Sequence, residues 1–323
     1  MAATVRYKRG MTTATPQIEP ILISSFYRFT PLSEAALERG LQQLETMATN
    51  TGLRGLILMG PEGINATVSG TALAIEACKS LVADWLTIGD LVFKDSVGAK
   101  HPFQIFRIKI RDEIVTLGRP GLVPDSRQNQ HLSPERWHKA IQQPGAVILD
   151  TRNRYEVEIG KFKSAIDLGI DEFSEFPEKL AASGLSKDAP VYMYCTGGIR
   201  CEKAMVHMQE QGYTNLNQLD GGILSYLKEF PEGEFAGECF VFDYRVAVDA
   251  RLAPTRQYRL CPHCGQPAKT PVSCIQCGRA EQICSTCHTQ GQRACSKNCA
   301  HHASIGSSSS KAHLPELRKR NRG

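Results

Sequence analysis

Two rhythms of apolar and polar positions run along the first three quarters of the chain. Residues 21–29, ILISSFYRF, and 53–60, LRGLILMG, read as buried strands, and 61–70, PEGINATVSG, as a turn followed by a short alternating strand. Between and after them, 33–50 predicts a helix with Ser33 at its N-cap. A second helix is predicted over 71–86, where Ala72, Ile75, Leu81 and Leu86 recur at helical spacing. Residues 103–110, FQIFRIKI, alternate like a strand with one solvated face. The order βαββαβ predicts a ferredoxin-like (acylphosphatase-like) α+β sandwich over 20–116, a fold that does not by itself state a function.

The stretch LGRPGLVPDSRQNQHLSP, rich in Pro, Gly and polar residues, reads as a linker, taken as 117–142. The rhythm then changes. Strands are expected at 146–150, 190–194 and 216–222, with a short extended piece at 165–169. Helices are expected to open at RNRYEVEIG and over 174–184, 199–212 and 222–230. Strands alternating with helices predict a parallel, doubly wound sheet over 143–234. Residues 235–300 form a Cys-rich module, 301–323 a basic flexible tail, and 1–19 a flexible N-terminus.

Composition narrows the possibilities. A chain of 323 residues has room for two or three cores. Its formal charge of +5 permits a nucleic-acid partner without requiring one. The start, MAATVRYKRG, lacks the apolar segment of an export signal, and no apolar run reaches membrane-spanning length. A soluble, cytoplasmic protein is therefore expected, with no membrane and no DNA partner. The twelve cysteines are many, and eight of them fall within 261–299. In a reducing compartment such clustering favours metal over disulfides.

The richest local chemistry lies in VYMYCTGGIRCEKA, 191–204. Ligands of a parallel sheet bind where loops leave the carboxyl ends of strands, and Cys195 stands at such an end. Gly197 and Gly198 allow positive φ, so that successive amides of Thr196, Gly197, Gly198 and Ile199 can converge on one anion. The helix start and Arg200 add positive charge. Together these favour a thiolate, the reactive form of cysteine, and a fall in its pKa from about 8.5 to about 6 is worth about 3.4 kcal/mol. The six-residue loop is shorter than the C-x5-R cradle of cysteine phosphatases and suits the terminal sulfur of a persulfide. Cys201 is a candidate to resolve an oxidised or persulfidated Cys195, or simply to pack. Asp150 and Arg152 are further candidates at the same sheet edge, the arginine as a phosphate contact. Glu202 and Lys203 are expected as solvated first-turn residues, and Tyr194 as a packed aromatic. Arg107, Lys109 and Arg111 are candidate phosphate contacts on an otherwise solvated strand face.

Three C-x2-C knuckles, Cys261/Cys264, Cys274/Cys277 and Cys284/Cys287, precede a C-x3-C pair, Cys295/Cys299. Two knuckles complete one tetrahedral four-thiolate site, so eight ligands suit two structural zinc ions. An iron–sulfur cluster is the alternative. Sequential and interleaved pairings of the knuckles are equally compatible with the spacing.

DTRNRYEVEIGKF (150–162) followed by CTGGIRCEKA resembles a rhodanese domain, with Asp150 ending the first strand and Glu156 and Gly160 in the motif after it. With EGINATVSG, FVFDYR and the Cys-rich end, the chain from about 20 to 299 resembles the rhodanese-containing tRNA uridine hydroxylases. That resemblance implies oxygen-dependent 5-hydroxylation of the wobble uridine, position 34, in the anticodon of tRNA. Molecular oxygen would be co-substrate and Cys195 the essential cysteine, often described as a persulfide. A sulfurtransferase using the same cysteine is the second reading, and a non-catalytic zinc or RNA-binding adaptor the third.

Overall fold

A computed structural model describes residues 20–87, 91–125 and 129–305. The N-terminal segment 1–19 and all of the basic tail beyond 305 lie outside the described residues. The first domain runs β1 (Ile21–Phe29), α1 (Glu34–Thr51), β2 (Arg54–Gly60), β3 (Gly63–Gly70), α2 (Ala72–Leu86), β4 (Lys94–Gly98) and β5 (Phe106–Ile110). Ser33 and Thr71 accept from the amides of Ala36 and Ala74 and so cap the two helices. Leu37, Leu44 and Ala48 of α1 face Ile75, Cys78 and Val82 of α2 over one side of the sheet.

Sheet order is β4-β1-β3-β2-β5. The expected ferredoxin-like topology is present, but the strand that completes it is not the expected one. β4 lies antiparallel to β1, whereas the predicted strand around 103–110 is shorter and joins the opposite edge, parallel to β2. The reason is local. KDSVG offers only one large apolar side chain, and an edge strand with both faces partly wet has no periodicity to display.

The second domain begins inside the stretch expected as a linker. β6 (His131–Leu132) and α3 (Pro134–Ala140) are followed by β7 (Val147–Asp150), α4 (Arg154–Val157), β8 (Gly160–Phe162), β9 (Ile166–Asp167), α5 (Phe176–Ala182), β10 (Val191–Tyr194), α6 (Ile199–Glu210), β11 (Leu216–Leu219) and α7 (Gly222–Glu229). All strands of the sheet β6-β11-β10-β7-β9 are parallel. Ser133 caps α3 and Pro134 occupies its first turn, which seats the fully buried Trp137 against Phe162 and Tyr194. A strand of two residues carries no readable pattern, which is why this part of 117–142 looks like a connector.

Past α7 the chain forms β12 (Phe235–Gly237), paired with β8, then β13 (Cys239–Phe240) with β14 (Ala247–Val248), β15 (Arg259–Leu260) with β16 (Pro267–Ala268), and β17 (Thr270–Ser273) with β18 (Ala280–Ile283). Two short helices, α8 (Ser285–Thr289) and α9 (Lys297–Ser304), close it. Phe235, Cys239, Val241 and Val248 share a core with Trp137 and Tyr194, so the first part of 235–300 packs on the parallel sheet. The thiol-rich part has small cores of its own.

The first turn of α6 meets the N-terminal domain. Lys203, expected in solvent, is fully buried and sits 2.7 Å from Glu62 and 2.6 Å from Glu113. Glu62 also accepts from the amide of Ile114, and Glu113 from those of Leu117 and Gly118. Burial raises the Glu62 pKa, with Lys203 opposing, whereas at Glu113 the lysine and amides overcome burial and lower it. Removing the cation leaves two buried carboxylates together. Lys203→Met should therefore cost about 3–5 kcal/mol in urea unfolding, and Glu62→Gln clearly less. Equal small losses from both would show that the triad does not hold the domains together.

Candidate active site and thiolate clusters

β10 delivers Cys195 to the carboxyl edge of the sheet between β7 and β11. The loop after it turns at Gly198, whose φ of 102° also makes it the N-cap of α6. Gly197 is not in the positive-φ region that the sequence suggested for both glycines, and a Cβ there would meet nothing within 4 Å. The steric demand falls instead on Gly222, where a Cβ would stand 2.5 Å from the Cys195 carbonyl oxygen. That close approach lets the amides of Ile223 and Leu224 donate to the carbonyls of Cys195 and Thr196, fastening α7 beneath the loop.

The sulfur of Cys195 is buried and accepts from the Gly198 amide at 3.0 Å. Burial opposes its ionisation. The Cys201 thiol, the Arg200 charge and the amides of Arg200 and Gly198 overcome that and bring the pKa down to about 5. Cys201 is held the other way: burial and the neighbouring anion push its thiol well up, so it is the proton-bearing partner of the pair. It also lies 3.6 Å from the Thr151 hydroxyl. The Gly198 amide is the main-chain donor that reaches the sulfur, and the Arg200 guanidinium acts on it through its charge.

Arg200 is more constrained than its charge alone suggests. Its two terminal nitrogens donate to Glu156 at 2.6 and 2.8 Å, and Glu156 itself closes the capping box of α4 by accepting from the Asn153 amide. Thr196 donates to Glu156 and to the Phe240 carbonyl, tying the loop to β13. Ile199 is half-buried at the first position of α6.

Asp150 and Arg152 do not face a ligand. They form a fully buried pair at 2.7 Å, with Arg152 also donating to the Gly160 carbonyl and Tyr194 to Asp150 at 2.5 Å. A guanidinium enclosed in this way cannot serve as the phosphate contact expected for Arg152; it pins the strand ends behind the loop. Glu202 is likewise buried rather than solvated. It accepts from Tyr27, Asn129, His131 and Gln218, and these bonds lower its pKa against the opposing effect of burial.

Two residues of the N-terminal domain complete the loop. Lys94 of β4 donates to the Gly197 carbonyl at 2.8 Å and lies over the Tyr27 ring at 4.7 Å. Burial pulls its pKa down, while the anions of Cys195, Asp220 and Glu202 pull it up. The Tyr27 hydroxyl covers Gly198, standing 2.9 Å from where a Cβ would be. No sequence motif marks either residue, because the contact depends on how the domains dock. The single available signal is that Lys94 lies in FKDS, a charged segment between predicted elements.

The eight clustered thiols separate into two sets: Cys261, Cys264, Cys284 and Cys287, and Cys274, Cys277, Cys295 and Cys299. The knuckles interleave, first with third and second with fourth. In each set the ligand atoms lie within 4.8 Å of one another, with Sγ pairs at 3.5 Å for Cys264/Cys284, 3.7 Å for Cys277/Cys295 and 3.6 Å for Cys295/Cys299. Four thiolates at about 2.3 Å around one tetrahedral ion stand about 3.8 Å apart. Disulfide sulfurs would be at about 2.05 Å. The donor sets therefore fit a metal ion each.

Cys195 thus stands at the carboxyl end of a central parallel strand, under a helix N-terminus, and the protein is of the rhodanese-like class. The rhodanese-like domain profile matches residues 133–229, flanked by the UPF0176 acylphosphatase like domain over 21–114 and the rhodanase C-terminal domain over 236–300. Proteins named tRNA uridine(34) hydroxylase are similar along most of the chain. That of Bdellovibrio bacteriovorus is 44% identical over 86% of this chain and 80% of its own. That of Synechococcus elongatus is 40% identical over 82% and 98%, and that of Legionella pneumophila strain Paris 41% over 73% and 93%. The chain belongs to the tRNA uridine(34) hydroxylase family.

A depressed pKa means that the Cys195 anion persists above about pH 5 and is lost as pH falls through that value. The ultraviolet thiolate absorbance of the wild type minus that of Cys195→Ser should titrate with its midpoint there, far below the value of about 8.5 for a free thiol. Lys94→Met should move the midpoint up by about one unit and Lys94→Arg should restore it. An unmoved midpoint would remove Lys94 from the site.

Proposed function

We propose that this chain hydroxylates uridine 34 of tRNA at C5 in an oxygen-dependent reaction, with Cys195 as the catalytic sulfur. The observation that carries the reading is the buried Cys195 sulfur accepting from the Gly198 amide at the start of α6, in a chain whose kinship with the named hydroxylases spans all three of its domains. An ionised sulfur held among fixed donors is a strong nucleophile that needs no reorganisation to react. Arg200 adds positive charge at the loop and Lys94 donates to its Gly197 carbonyl, and the protonated Cys201 thiol is placed to return a proton to the sulfur or, once deprotonated, to attack the inner sulfur of a Cys195 persulfide, forming the Cys195–Cys201 disulfide and releasing sulfide. Molecular oxygen is taken as the co-substrate, and the anticodon region of tRNA as the partner. Among the described residues no helix is long and apolar enough to cross a membrane, and we place the reaction in the cytoplasm with its RNA.

The sulfurtransferase reading draws on the rhodanese-like match and shares the same cysteine. Thiocyanate formation from thiosulfate and cyanide separates it from hydroxylation. The adaptor reading gives a buried, acid-shifted thiol no task. The two thiolate sets we read as structural zinc sites that fold a module too poor in apolar residues to fold alone. Iron–sulfur clusters in the same places would colour the protein.

In cells lacking the gene, tRNA complemented with the wild type should regain a uridine heavier by one oxygen atom, and tRNA complemented with Cys195→Ser should not. A nucleoside profile indifferent to Cys195 would end the proposal. Native mass spectrometry should find two zinc ions per chain. Cys261→Ser with Cys284→Ser should remove one ion, and Cys261→Ser with Cys274→Ser both; the opposite outcome would mean sequential pairing.

A further inference from the structure

Phe242 and Tyr244 are among the large apolar side chains left in solvent, 58% and 57% exposed, although their neighbours Val241, Asp243 and Val246 are buried. The turn that displays them is rigid. Asp243 accepts from the Arg245 amide and, through both carboxylate oxygens, from its guanidinium; Val241 donates to Val246 and Val246 to Asp243. Val246 is β-branched yet sits at φ 66°, a left-handed conformation that such residues seldom adopt and that tends to mark functional sites.

Each aromatic points to a different neighbour. The Phe242 ring lies 5.6 Å from the Arg200 guanidinium, at the candidate active-site loop. Tyr244 donates its amide to the Pro102 carbonyl and lines a surface groove with Phe103, Ile105, Arg107 and Lys109. Arg107 and Lys109 are two apart on β5, so they share one face, and both are exposed. Among the described residues neither is engaged by an acidic side chain. The two exposed aromatics, two residues apart, thus stand between Arg200 of the reactive loop and the exposed Arg107 and Lys109.

We infer that this strip binds the single-stranded RNA flanking the reacting uridine, with unpaired bases stacked on Phe242 and Tyr244 and phosphates on Arg107 and Lys109. The inference rests on the tRNA reading above and deepens it. Aromatic faces accept any base and cations accept any phosphate, which is the chemistry single-stranded nucleic acid requires. An arginine and a lysine with no acidic partner among the described residues match a polyanion, and the contact of Phe242 with Arg200 brings the strip to the edge of the loop.

The test uses the full chain and a fluorescent anticodon stem–loop RNA, with melting curves to confirm that each variant is folded. Phe242→Ala and Tyr244→Ala should each weaken binding roughly 5- to 150-fold, whereas Phe242→Tyr and Tyr244→Phe should retain it. Arg107→Ala with Lys109→Ala should reduce the slope of log affinity against log salt by about 1.4. A folded Phe242→Ala/Tyr244→Ala chain that binds the RNA like the wild type would overturn the inference. So would a strip that captures an acidic peptide in preference to the RNA. If the wild type hydroxylates tRNA and the aromatic variants leave KM unchanged, the strip alone fails; if the wild type leaves tRNA unmodified, the functional reading fails with it.

Discussion

A buried negative charge must be answered locally, and the architecture around Cys195 follows from that constraint. Around the segment that carries the sulfur lie Glu156, which contacts Thr196, Asp150, which contacts Tyr194, and Glu202 in the first turn of α6, all withdrawn from water. Each has its own donors: Arg200 for Glu156, four neutral or ionisable hydrogen-bond donors for Glu202, Arg152 and Tyr194 for Asp150. Without these pairings the carboxylates would compete with the sulfur for the same cations and raise its pKa. With them, the Gly198 amide and the Cys201 thiol remain available to the sulfur.

Helix α6 coordinates this division of labour. Four consecutive residues at its start reach separate partners: Arg200 to Glu156, Cys201 to Cys195, Glu202 to Tyr27 and His131, Lys203 to Glu62 and Glu113. Successive positions on a helix point about a quarter-turn or more apart, so a single turn can address the sheet, the thiol and the neighbouring domain together. The rhodanese-like domain thus carries the sulfur, and the acylphosphatase-like domain supplies part of its surroundings through Tyr27 and Lys94.

What could be read in the sequence was local. The loop CTGGIR announced an anion cradle because a strand end, a Gly turn and a helix start are all short-range features. The grouping of eight thiols into pairs suited to metal was legible from their spacing for the same reason. Features that depend on docking were not legible. Lys203 and Glu202 look like any polar first-turn residues until another domain is placed over them. Lys94 lies on an edge strand with no alternation, and the pairing of the knuckles is long-range. Arg152 reads as a surface arginine because its partner Asp150 reads as a strand terminus. Even the displaced last strand of the first domain follows this rule, since FQIFRIKI displays its alternation whichever sheet edge it joins.

The interleaving of the thiol sets carries a topological consequence. A cut between residues 274 and 287 breaks both sets at once, because Cys284 and Cys287 follow Cys274 and Cys277 in the chain but belong with Cys261 and Cys264. The two centres are braided into a single heritable unit. No single cut gives each fragment a complete set of its own.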